Sequence, residues 1–104
     1  INKIMIMENV NYGEAIEAMR NGECVTRKSW NDKNMFVCKQ VPSFITKDTI
    51  GKMSSLPESA KDIILEKLES ISYENQMILV KSNGVISNWF ANGNDTFADD
   101  WEIL

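Results

Sequence analysis

Two short stretches of this 104-residue chain set a tryptophan among residues that bond phosphates, ribose hydroxyls and base edges. Trp30 is preceded by Arg27 and Lys28 and followed by Asn31, Asp32, Lys33 and Asn34. Trp89-Phe90 is followed by Asn92, Asn94 and Asp95. An indole face stacks on a nucleobase for roughly 1–3 kcal/mol. Asn and Asp exchange hydrogen bonds with base edges or ribose hydroxyls, and Arg or Lys pairs with phosphate. These are the ingredients of a small nucleotide site. The tryptophans also fit a hydrophobic core, a reading favoured for Trp89 and Trp101.

Other chemistries find little support. Histidine is absent, which removes histidine general acid–base catalysis, histidine triads and most zinc sites. No phosphate-binding glycine loop, nucleophile elbow or zinc-protease motif occurs. Asp95, Asp99 and Asp100 are a candidate acid cluster for acid–base work or a hard metal. Capping of a solvated helical turn at Thr96–Asp100 is the favoured reading of them. Cys24 and Cys38 are too few for a disulfide scaffold, and the reading adopted is a pair of buried, reduced structural thiols. The formal charge of −4 counts against a general binder of nucleic-acid polymer or anionic membrane. Residues 1–52 nevertheless carry +2 and residues 53–104 carry −6, so the first half can supply a local anion site. No apolar run approaches the ~20 residues of a membrane span, and no signal peptide is visible, so the expected location is the cytoplasm.

These side chains must be positioned by a small set of elements. Ile4–Met7 reads as a short strand or a leader, within a candidate flexible stretch 1–10. Asn11 with Glu14 is a capping-box pattern; Tyr12, Ala15, Ile16 and Met19 make one helical stripe, and Gly22 ends it, predicting a helix over 11–21. Strands at 23–29 and 35–41 form a first hairpin. Residues 44–54 read as loop with a short strand or helical turn. Ser55 with Glu58 suggests a second capping box for a helix over 57–70, with Ala60, Ile63, Ile64, Leu68 and Ile71 inward and Lys61 outward. Residues 76–81, apolar on both faces, predict a central strand. Asn83-Gly84 signals a type I′ turn into a returning strand at 85–90, and 101–104 is a terminal strand or tail. The expected fold is α+β: one domain over 1–104, a small antiparallel sheet of two hairpins with two helices on one side or end.

Two blocks of this sequence resemble a known family. The first is Asn11-Tyr12-Gly13-Glu14-Ala15-Ile16-Glu17-Ala18-Met19, then Asn21-Gly22, Val25, Arg27, Trp30-Asn31, Lys33 and Met35-Phe36. The second is Trp89, Ala91, Asp95 and Ala98-Asp99-Asp100-Trp101-Glu102. Together they are similar to the signature of the second type of Thoeris anti-defence protein, a small phage and prophage family. The blocks cover roughly half of the chain. Residues 42–75 match nothing in that signature, which makes them a candidate family-variable insertion.

The resemblance implies a sponge: a protein that binds a cyclic ADP-ribose isomer made by bacterial immune enzymes and withholds it without cleaving it. It also implies a homo-oligomer, a tetramer, with ligand between protomers, acting in the cytoplasm of the infected cell. No cofactor is expected, and the protein is not expected to be an enzyme. On this reading Trp30 is the stacking platform, Asn31 its polar neighbour and Arg27 faces phosphate. Trp89, Asn92, Asn94 and Asp95 come from the second hairpin's end, and Trp101 stays in the core. The competing readings are an enzyme degrading a nucleotide signal through Asp95, Asp99 or Asp100, and a protein-binding inhibitor of a host factor.

Overall fold

A computed structural model describes residues 7–104. Its elements in chain order are β1 (Met7–Val10), α1 (Tyr12–Arg20), β2 (Val25–Arg27), β3 (Phe36–Gln40), β4 (Ser43–Thr46), α2 (Lys47–Lys52), α3 (Glu58–Lys67), β5 (Ser70–Tyr73), β6 (Gln76–Val80), β7 (Ile86–Asn88), α4 (Gly93–Thr96) and β8 (Trp101–Ile103). The fold is α+β, as expected, with more strands than two hairpins provide. Among the described residues, 7–40 with 76–104 form one compact unit, and 41–75 form a second. The expectation for residues 4–6 lies outside the described residues; Met7 opens β1.

In the first unit, six strands run in the order β1-β8-β2-β3-β6-β7, each antiparallel to its neighbours. Strand β6 is interior, as its two apolar faces predict. The terminal stretch 101–104 is no tail: β8 sits between β1 and β2. Met7 pairs with Ile103 and Val10 with Trp101, so β1 carries one extra residue, a bulge at which Asn9 takes φ +57°. Asn tolerates this left-handed conformation better than other non-glycine residues.

Helix α1 follows its sequence signals closely. The Asn11 side chain accepts from the Glu14 amide at 2.8 Å, and the Glu14 carboxylate accepts from the Asn11 amide at 3.1 Å. At the other end Gly22, φ +88°, lets the Glu23 amide reach the Ala18 carbonyl (2.9 Å) and its own amide reach Met19 (3.0 Å), closing a Schellman motif. The helix buries Ala15, Ala18 and Met19 against Val10, Val25, Val37, Trp101 and Ile103. That cluster is the core of this unit.

The β6–β7 turn differs from the expected type I′. Gly84 has φ +86°, but Asn83 does not share the positive φ. The Gly84 amide bonds the Lys81 carbonyl (2.9 Å) and the Lys81 amide bonds the Val85 carbonyl (3.0 Å). One glycine at the left-handed position is enough for this tighter-then-bulged loop.

In the second unit β4 pairs with β5, Ile45 opposite Ile71. The stretch 44–54, illegible in sequence, holds β4 and α2. The Ser55–Glu58 capping box does not form. Pro57 is the N-cap and gives no side-chain bond, and the helix stops at Lys67 because Ser70 already enters β5. The inward stripe is also corrected: Ile63 and Leu68 are exposed, while Lys61 is buried. Its Nζ donates to the Met53 carbonyl (2.8 Å) and pairs with Glu58 (2.8 Å), so the ammonium goes in with both partners supplied. Among the described residues no helix is long and apolar enough to cross a membrane.

Candidate functional site

The site grows from one buried ring. Trp101, on β8, is fully buried, and its indole N–H donates to the Asp95 carbonyl at 2.9 Å. Three half-buried aromatics surround it: Tyr12 at 5.4 Å between ring centroids, Trp30 at 5.5 Å and Trp89 at 5.9 Å. Trp30 and Trp89 meet edge-to-face at 6.2 Å, and Tyr12 and Trp89 at 6.3 Å. Most of these contacts have the T-shaped geometry that ring quadrupoles favour. Burial and then the charge of Asp95 push the Tyr12 phenol up from its ordinary value.

An ion-pair clamp holds the two loops that carry these rings. Arg27 Nη1 bonds Asp95 Oδ1 and Arg27 Nε bonds Asp100 Oδ1, each at 2.9 Å. The Arg27 guanidinium carbon lies 6.0 Å from the Trp101 ring centroid. Burial alone would pull Arg27 down, but its bonds to Asp100 and Asp95 more than offset this and hold it above its usual value. Burial likewise would raise Asp100; the Arg27 bond and that from the Ser29 amide (3.0 Å) hold it below the usual carboxylate range. Asp95 is buried and has a further task. It closes a capping box with Asn92 at the start of α4, its amide bonding Asn92 Oδ1 (2.8 Å) and its carboxylate accepting from the Asn92 amide (3.2 Å). The helical turn expected at 96–100 therefore lies earlier, at Gly93–Thr96, because Asn92 rather than Thr96 is its cap.

Of the sequence-derived candidates, Arg27, Trp30, Trp89 and Asp95 come together within one chain, joined through Trp101. Asn31, Asn92 and Asn94 are exposed on the adjoining loops, Asn92 with its side chain engaged in the cap. Arg27 faces two carboxylates. Asp95 and Asp100 share that cation, whereas Asp99 is exposed. Among the described residues no group of three or more His, Cys, Asp or Glu is placed to hold a metal. Tyr12, Ser29 and the clamping role of Asp100 were not foreseen. A helical stripe places Tyr12 inward but does not say which rings it meets.

A separate cleft of about 600 Å³ opens on the same unit, lined by Lys33, Met35, Phe36, Val80, Lys81 and Ser82 among others. Asp32 ties its rim: one carboxylate oxygen accepts from the Ser82 amide (3.1 Å) and hydroxyl (2.8 Å), the other from the Asn34 amide (3.2 Å). These bonds, those from Ser82 foremost, hold Asp32 below the usual carboxylate range. Cys24 and Cys38 are free and half-buried rather than fully buried.

Residues 10–104 match the Tad2-like family, described as the Thoeris anti-defense 2-like domain. The chain belongs to this family. Within the Thoeris anti-defense 2-like family, one relative is "Thoeris anti-defense 2" of Bacillus phage SP01. It is 26% identical over 95 residues, which cover 91% of this chain and 94% of the relative. The match takes in the aromatic cluster, the ion-pair clamp and residues 41–75 alike.

Proposed function

We propose that this chain is a phage anti-defence protein that binds a cyclic ADP-ribose-type signalling nucleotide and sequesters it without cleaving it. Family membership supports the anti-defence role. The observation that carries the binding reading is the aromatic platform: two half-buried tryptophans, 6.2 Å apart, braced from beneath by a fully buried third. Rings fixed in advance lose little freedom when a ligand stacks on them.

In this reading Trp30 stacks on the adenine, and Asn31 bonds its edge or the adjoining ribose. Trp89, Asn92 and Asn94 line the second side. Arg27 and Asp95 hold the platform, and Lys28 and Lys33 add the positive field that phosphates need, because Arg27 already serves two carboxylates. The same pairing speaks against hydrolysis through Asp95 or Asp100, since each carboxylate already bonds Arg27. Trp30 and Trp89 each keep part of their surface exposed. That suits a site completed by a second copy in a homo-oligomer, a tetramer, where excluding water would strengthen each polar contact. Exposed Phe90 and Phe97 beside it fit such a contact. The protein would act in the cytoplasm of the infected bacterium, without a cofactor.

The test is thermal melting with the cyclic isomer and with linear ADP-ribose as control. A ligand bound only by the native state adds about 2.7 kcal/mol of stability at a hundredfold excess over its Kd. An isomer-selective shift with the ligand recovered intact after heating is expected. No shift refutes binding, and a chemically altered ligand turns the reading to an enzyme. Trp30→Ala should weaken binding by at least ~1 kcal/mol while the protein stays folded.

A further inference from the structure

Cys38 lies on β3 and Cys24 immediately precedes β2, and the register of the two strands decides how they face. Val25 pairs with Val37 across β2 and β3. One residue outward, that register sets Cys24 opposite Cys38. The Cys24 carbonyl and the Lys28 amide are turned to β8 and its flanks: the Leu104 amide donates to the first (2.9 Å), and the second donates to the Asp100 carbonyl (3.0 Å). In a strand, successive residues bond to opposite sides. Val25 therefore bonds toward β3, and Cys24–Cys38 is a non-hydrogen-bonded pair, the kind whose Cα atoms approach to about 4.5 Å. Disulfides span Cα separations of about 4.4–6.8 Å. At that separation the pair can close without strand movement.

We propose that Cys24 and Cys38 are a reversible redox pair that closes into a cross-strand disulfide on meeting a small-molecule disulfide such as glutathione disulfide. Cys24 lines the cleft, which gives the reagent a way in. The Cys24 thiolate attacks one reagent sulfur; the reagent S–S bond breaks, and one glutathione leaves as its thiolate. The Cys38 thiol then gives up its proton, and its sulfur attacks the Cys24 sulfur and displaces the second glutathione. Two protein thiols are oxidised to one disulfide, one reagent disulfide is reduced to two thiols, and the protons pass to the departing thiolates. Burial and the neighbouring Cys24 sulfur push the Cys38 thiol up, which suits it to the second step, where proximity compensates for a small thiolate fraction. The bond closes the segment 24–38, which carries Arg27, Trp30 and Asn31, and so clamps the loop between β2 and β3. This inference does not rest on the nucleotide reading.

The experiment incubates the full chain with glutathione disulfide or with dithiothreitol, then measures intact mass, titratable thiols and the melting temperature. The expected product is a monomeric chain lighter by two hydrogens, with no titratable thiol and a melting temperature higher by on the order of 10 °C. Dithiothreitol reverses all three changes. Cys38→Ser should retain one glutathione and Cys24→Ser little or none, and neither should show such a rise; alanine replaces serine if a serine variant fails to fold. A wild-type chain that ends with glutathione on both cysteines, or cross-linked to a second chain, overturns the proposal. So does an internal disulfide that leaves the melting temperature unchanged or lowers it.

Discussion

Replacing Arg27 with methionine tests whether the clamp sets the stability of the aromatic cluster. Methionine keeps an unbranched stem against Trp101 and removes only the charge and its bonds. Asp95, 6% exposed, would then be a buried carboxylate without its cation. Losing one partner of a buried pair costs about 3–5 kcal/mol. Asp95 keeps the Asn92 amide, and Asp100, whose side chain is 27% exposed, can turn to water, so the lower end applies. The expected loss is about 3 kcal/mol, or a fall in melting temperature of roughly 10–25 °C for a domain of this size. Urea unfolding followed by tryptophan fluorescence reads it directly, since all three tryptophans sit in the cluster. Adding Asp95→Asn to Arg27→Met removes the stranded charge and should recover about 1.5 kcal/mol or more. A single-variant loss below ~1 kcal/mol, or no recovery in the double variant, would refute the argument that this ion pair is buried and coupled.

Asp100 and Asp32 both titrate below their unfolded values, so the stability they contribute is complete above about pH 5 and lost as the pH falls through their folded values. Asp100→Asn should flatten that acid limb in a pH series of melts; a limb of unchanged steepness counts against the assignment. Trp101→Phe removes the bond to the Asp95 carbonyl and leaves a cavity, and should cost about 2 kcal/mol or more in urea titration. Gly84→Ala puts a side chain at φ +86° and should cost about 1 kcal/mol even though the space around it is open. Gln40 and Gln76 are opposite each other in the sheet, so joining them by Asn-Gly in place of residues 41–75 should leave the six-stranded unit folded by circular dichroism and near-native in tryptophan fluorescence. An unfolded product would mean that the unit depends on residues 41–75.

Local signals were legible where they were chemically complete. Asn11, Glu14 and Gly22 specify both ends of α1, and the two-sided apolar pattern of 76–80 marks an interior strand. The signals failed where the partner is remote in sequence. The burial of Lys61 depends on the Met53 carbonyl, which no helical period reveals. Asn83-Gly84 fits two loop types, and backbone bonding chose between them. At the candidate site the residue types were legible, but not that Arg27 would spend its charge on Asp95 and Asp100, 68 and 73 positions away. Nor does composition show that Trp30 and Trp89 belong to one cluster. Both follow from β8 lying beside β2, a pairing set by topology rather than by any nearby residue.

That placement of β8 also bears on how the chain is made. The strand in second position of the sheet is the last of the eight to be translated, and its partners β1 and β2 are among the first. Until Trp101 arrives, α1 lacks the ring it packs against, Arg27 lacks Asp100, and both early strands carry open edges. At bacterial synthesis rates of about 5–20 residues per second, the nascent chain waits several seconds in this state. Those edges stay open to wrong pairing until β8 arrives, and the long-range contacts that finish the sheet form last.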